Sequence, residues 1–165
     1  MKKLYFKENS ILSLCSGNSF DIIKEKDLLF IITEILRIEN CRVSEVLSAT
    51  WQDLHHGRFL ILQGKKKSAP IIIRDREILR MVSNLPKTHS QLIFYPVNYR
   101  QIYHYIKKYY SHQFQNIKVR KNKKVTHAFR YINCRAIDND QEIKVILHHN
   151  SKRSGVYYKN KLKGS

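Results

Sequence analysis

The chain is predicted to fold as a mainly α-helical domain with a small antiparallel β-hairpin, an α+β class. Apolar residues recur at helical spacing in at least three segments, which is the primary signal for amphipathic helices. Two short β-rich runs flank a Gly-Lys turn, the pattern of a hairpin. With 165 residues and 42% hydrophobic content, the chain is long enough for one buried core and too apolar for a disordered tail.

Residues 1–26 read as a short N-terminal arm, with Ser16-Gly17-Asn18-Ser19 as a turn. From Asp27 the pattern turns helical through Leu28, Ile31, Ile32, Ile35 and Leu36. Ser44–Ala49 forms a short helix with Val43, Val46 and Leu47 inward, and His55-His56-Gly57 turns the chain. Phe59–Leu62 and Ile71–Ile73 are the hairpin strands around Gly64-Lys65-Lys66-Lys67-Ser68. Asp75–Leu85 is helical and stops at Pro86. Tyr99–His112 is a helix whose inner stripe is Ile102, Tyr105, Ile106 and Tyr109. A basic loop covers 115–125, and Thr126 caps a helix running to about Ile137, broken by Asp138-Asn139-Asp140. Gln141–His148 is the last helix, and Asn150–Gly155 is a polar loop before Tyr157-Tyr158. No repeat or linker divides residues 27–165.

Charge points to the partner. Lys and Arg number 31 against 13 Asp and Glu, a net +18. A chain so basic, with ten Tyr and seven Phe, fits a nucleic-acid polyanion, because neutralising phosphates releases counterions. Three well-separated cysteines without a CxxC argue against a disulfide framework or a cysteine zinc site and fit a reducing cytoplasm. No apolar run reaches membrane-span length, and Lys7, Glu8 and Asn9 interrupt any signal-peptide core.

Several residues can carry phosphate chemistry. Arg42 and Glu45 stand at i and i+3, so the carboxylate can hold the guanidinium in one orientation. Read alone, they are a surface ion pair. Lys65, Lys66 and Lys67 occupy the hairpin turn, where a lysine can reach a groove and protonate a leaving oxygen. Read alone, that run is a solvated turn. His127 and Arg130, in Thr126-His127-Ala128-Phe129-Arg130, share one helix face and offer a proton-transfer group and a planar cation to one phosphate. His148-His149 supplies one further donor, since adjacent helical residues diverge. No His pair has the i, i+4 spacing of a helical zinc motif. A tyrosine of the Tyr157-Tyr158 pair can act as nucleophile where cations stabilise its phenolate, although a lone Tyr pair is ordinarily core packing. Phosphoryl transfer needs little beyond alignment and cations around the equatorial oxygens.

In this order the residues resemble the catalytic domain of the tyrosine recombinase (phage integrase) family over residues 27–159. NCRVSEVLSATWQDL resembles its first box, which implies Arg42 as a catalytic Arg supported by Glu45. The hairpin resembles the segment of the catalytic Lys, implying Lys67. THAFR resembles the HxxR box, implying His127 and Arg130. LHHNS resembles the LGH box, implying His149, with His148 where the family has Gly. The count from there implies Tyr158 as nucleophile. The resemblance implies a 3′-phosphotyrosyl intermediate with release of a 5′-hydroxyl, Arg42, Arg130 and His149 on the phosphate, His127 as base and Lys67 as acid. It implies no cofactor and no metal, because the covalent link keeps the phosphodiester energy.

The implied activity is site-specific strand cleavage and rejoining, as in integration by a mobile element. The alternative is a DNA-binding remnant without catalysis. The expected partner is double-stranded DNA, on which self-association is an open expectation, and Lys65, Lys66, Lys121, Lys123, Lys124, Lys152 and Arg153 are the residues expected to contact it. With only the 1–26 arm before the catalytic part, the N-terminal half of the family's DNA clamp is expected to be absent, and complete recombination is not implied.

Overall fold

The computed structural model describes residues 25–64, 69–114 and 125–135, together with 137, 139, 142 and 145. Its elements are α1 (Glu25–Glu39), α2 (Val43–Leu47), a 3-10 turn at Trp51–Asp53, β1 (Leu54–His55), β2 (Phe59–Leu62), β3 (Ile71–Ile73), α3 (Arg76–Ser83), α4 (Tyr99–Tyr110), a 3-10 turn at Ser111–Phe114, and α5 (Val125–Arg135). The α+β class is therefore observed, as helices around one three-stranded antiparallel sheet of order β1-β2-β3.

Helix α1 forms where the 3.6-residue stripe is strongest. Leu28, Ile31, Ile32, Ile35 and Leu36 are all buried. Glu25 and Asp27 in its first turn and Arg37 in its last complement the helix dipole. The helix begins two residues before Asp27, at Glu25. After Glu39 the chain leaves through Asn40, whose φ of 52° is left-handed, a conformation that Asn tolerates better than most residues at a helix end.

The sheet completes the core. Strands β2 and β3 pair Leu60 with Ile73, Ile61 with Ile72 and Leu62 with Ile71. Alternation sends Leu60, Leu62, Ile71 and Ile73 inward and leaves Ile72 exposed. Strand β1 was not expected, because two residues are too few to show alternation. It pairs Leu54 with Leu60 and His55 with Phe59. His56 and Gly57 both have positive φ, the backbone hand that suits hairpin twist, and the Arg58 amide donates to the His55 carbonyl at 2.9 Å.

Helix α3 starts at a conventional cap: the Asp75 carboxylate accepts from the Glu77 and Ile78 amides, each at 3.0 Å. Helix α4 starts with a reciprocal box in which Asn98 accepts from the Gln101 amide and the Gln101 side chain accepts from the Asn98 amide. Two side-chain contacts lay α4 along α1 in the same direction. Gln101 Nε2 donates to Glu25 near both starts, at 2.8 Å, and the Tyr110 hydroxyl donates to Glu34 at 3.1 Å nine residues further along each.

Two sequence expectations are corrected here. The inner stripe of α4 is Ile102, Ile106 and Tyr110, with Tyr105 half-buried and Tyr109 exposed. Both stripes have helical spacing; Tyr110 wins because its ring packs on Phe129 while its hydroxyl reaches Glu34. Thr126 lies inside the first turn of α5 rather than capping it, because the helix begins at Val125. Of the expected 141–148 helix, Glu142 and Val145 are described and helical, and the rest of it lies outside the described residues.

Candidate active site

The first arginine owes its position to the corner between α1 and α2. Asn40 turns the chain, Cys41 is buried, and Arg42 takes an extended conformation (φ −91°, ψ 148°) as the residue preceding α2. One carboxylate then holds it twice. Glu45 Oε2 accepts from the Arg42 amide at 2.6 Å, and Glu45 Oε1 accepts from the guanidinium Nη1 at 2.5 Å. The Glu45 side chain is 2% exposed and that of Arg42 23%. A carboxylate this buried requires a compensating cation, so the pair fixes the guanidinium rather than decorating a surface. Among the described residues, no partner other than Glu45 engages this guanidinium.

The second arginine comes from α5. Phe129, 1% exposed, packs edge-on against Tyr110 and Phe114, with ring centroids at 5.5 and 5.3 Å. These contacts dock α5 on α4 and its following turn. Arg130, next in sequence, is 1% exposed and is among the largest fully buried side chains. His127, one turn earlier, is half-buried.

Electrostatics and hydrogen bonds bring Arg130 to the Arg42 corner. Burial pushes the Cys41 thiol well above its ordinary range, Glu45 pushes it the same way, and the Arg130 charge pulls it back. Cys41 is the chain neighbour of Arg42, so the charge of Arg130 is felt at the segment that carries Arg42. Burial also raises the Cys134 thiol to about 11, again opposed by Arg130. A direct tether spans the two elements. Asn133 Nδ2 donates to the Arg37 carbonyl at 2.8 Å and to Asn40 Oδ1 at 2.6 Å. The residues of this tether were not singled out in the sequence. A signal for Asn40 existed, since Asn just past an apolar-periodic helix is a common left-handed terminator. Nothing local marks Asn133.

Of the residues singled out from sequence, the fold therefore gathers Arg42, Glu45 and Arg130 at one corner, with His127 on the same helix as Arg130. Lys67, His149 and Tyr158 lie outside the described residues, as do Lys65, Lys66, Lys121, Lys123, Lys124, Lys152 and Arg153. Among the described residues no three His, Cys, Asp or Glu side chains gather as a metal-holding group, and no helix is long and apolar enough to cross a membrane.

Comparison with known proteins matches the chain to one family and one fold. The family model described as the phage integrase family matches residues 6–164. The structure of the XerH site-specific recombinase bound to palindromic difH substrate, a post-cleavage complex, aligns with a TM-score of 0.57 at 16% identity, covering 93% of this chain and 47% of that one. The pre-cleavage complex of XerH with difH aligns with a TM-score of 0.56 at 16% identity, covering 90% and 46%. The XerA recombinase aligns with a TM-score of 0.50 at 16% identity, covering 90% of this chain and 63% of that one. At such identity the likeness is one of fold, and this chain spans about half the length of the XerH chains, as the 47% coverage shows. No curated protein matches the sequence.

Proposed function

The chain belongs to the phage integrase family, and from that premise we propose that it cleaves and rejoins DNA strands at specific sites through a covalent phosphotyrosine. The observation that carries this reading is the buried corner where Glu45 orients Arg42 and α5 delivers Arg130. Guanidiniums held by their neighbours need no reorganisation when charge develops on a phosphate, which is where preorganised cations contribute most.

In the proposed reaction the Tyr158 phenol oxygen attacks a backbone phosphorus. The P–O bond to the 5′-oxygen breaks as the O–P bond to Tyr158 forms, leaving a 3′-phosphotyrosyl strand and a free 5′-hydroxyl. His127 accepts the phenol proton, and Lys67 donates one to the departing oxygen. Arg42, Arg130 and His149 hold the non-bridging oxygens. One phosphodiester is exchanged for another, so a 5′-hydroxyl can reverse the step on the same or another strand. The net charge of +18 supports duplex DNA as substrate through counterion release, and the XerH structures contain a difH substrate. Residues 27–165 would form the catalytic unit.

The test is a nicked suicide duplex from which the cleaved end diffuses away, so that the covalent species accumulates. Wild type and Tyr157→Phe are expected to form a denaturation-resistant protein–DNA adduct, and Tyr158→Phe none. An adduct that survives in Tyr158→Phe removes the nucleophile assignment. Salt-sensitive DNA binding with no adduct in wild type would instead establish a DNA-binding protein without strand transfer.

A further inference from the structure

We infer that Asn133, paired with Asn40, is a positioning residue that sets the spacing between Arg42 and Arg130. The inference deepens the proposed function and rests on it. Asn133 lies three residues beyond Arg130, within the same turn of α5, and Asn40 lies two residues before Arg42. Their contact therefore joins the two arginine-bearing segments across 93 residues of sequence.

The chemistry of the contact is demanding. Both acceptors of Asn133 are oxygens, so its side-chain NH2 must face them and both of its hydrogens are used. The Arg37 carbonyl belongs to the last turn of α1, where carbonyls run out of intrahelical donors. Asn40 is buried and left-handed, so its side chain cannot swing to solvent without rebuilding the corner. Losing the Asn133 amide leaves the exposed Arg37 carbonyl to water but strips the part-buried Asn40 Oδ1 of its donor, and an acceptor of a buried residue without its donor is costly enough to make the corner shift. Because Glu45 holds Arg42 relative to α2 alone, a shift of the corner carries Arg42 away from Arg130 without breaking the Arg42–Glu45 pair. Misplacement by about 1 Å is sufficient to slow a positioned reaction roughly a hundredfold.

The variants separate positioning from folding. Asn133→Ala removes the donor. Asn40→Asp keeps an acceptor for Asn133 and a side chain that tolerates left-handed backbone, so it serves as the conservative rescue. Asn40→Gly keeps the backbone conformation and deletes only the acceptor.

Two readouts apply to full-length protein whose folding is verified by thermal melting. Under single-turnover conditions with saturating suicide DNA, Asn133→Ala and Asn40→Gly are expected to cleave about ten- to a hundredfold more slowly with DNA affinity within about twofold of wild type, and Asn40→Asp to stay near wild type. Without DNA, titration with inorganic phosphate, followed on the 15N-labelled side chains of Arg42 and Arg130, is expected to perturb both in wild type at one affinity. In Asn133→Ala the two are expected to respond at separate, weaker affinities. Wild-type cleavage by folded Asn133→Ala, or an unchanged phosphate titration, would overturn the positioning role. If wild type forms no adduct, the strand-transfer reading fails, and the phosphate titration still decides the role of Asn133.

Discussion

The starts of α2 and α3 carry the same kind of ion pair, and only one of them builds a site. At α2, Arg42 and Glu45 are three residues apart, and at α3, Glu77 and Arg80 are also three apart. The α3 pair has the fuller hydrogen bonding, with Arg80 Nη2 on Glu77 Oε1 at 2.7 Å and Nε on Oε2 at 3.3 Å. Its order also suits the helix dipole, with the acid toward the N-terminus, whereas Arg42 places a cation at the less favourable end. Burial reverses the ranking: the Glu77 side chain is 61% exposed and that of Glu45 is 2%. Water screens the first pair, whereas the second sits where an unpartnered charge is costly. Spacing creates the contact, and the surroundings decide whether it is decoration or a device that aims a guanidinium.

Breaking the α2 pair should have the largest effect. Arg42→Ala strands a buried carboxylate and is expected to destabilise the protein by about 3 kcal/mol in chemical denaturation. A loss as small as that of a surface pair would place it in the same class as the α3 pair. A smaller effect is expected from the thiol beside Arg130. Burial raises Cys134 from an ordinary 9.0 to about 11, so between these values the folded protein holds a proton that the unfolded chain has released. That contribution is complete below pH 9 and is lost as pH rises through 11. Over that window wild type should lose on the order of 2 kcal/mol more than Cys134→Ala. Equal alkaline slopes would mean that this corner is wetter than its packing implies. The smallest effect belongs to α3: Glu77→Ala should change stability by less than about 0.5 kcal/mol, diminishing further in high salt. A larger loss would erase the contrast between the two helices.

Much of the fold was legible because it is written in short-range periodicity. The α1 stripe, the β2–β3 strands, the helical character of the segment after Asp75 and that of 99–110 all depend on residues within a few positions of one another. What stayed hidden depends on neighbours in space. The choice of Tyr110 over Tyr109 as an inner residue follows from Phe129 and Glu34. Strand β1 exists because Leu54 and His55 find Leu60 and Phe59, and its two residues carry no pattern of their own. In the site, Arg42 with Glu45 and His127 with Arg130 were each visible as spaced pairs, whereas Asn133 was not.

From the sequence alone came the helical and hairpin periodicities, the strong positive charge, and the order of the Arg, Lys, His and Tyr boxes that marks the family. These are local or additive properties, readable without knowing which segments meet. Tertiary structure decided that Glu45 is buried while Glu77 is not, that Arg130 is buried with the core residues of α5, and that an amide on α5 bridges to a left-handed Asn at the end of α1. Burial and long-range hydrogen bonding arise only when segments distant in sequence exclude water together, so no window of sequence contains them.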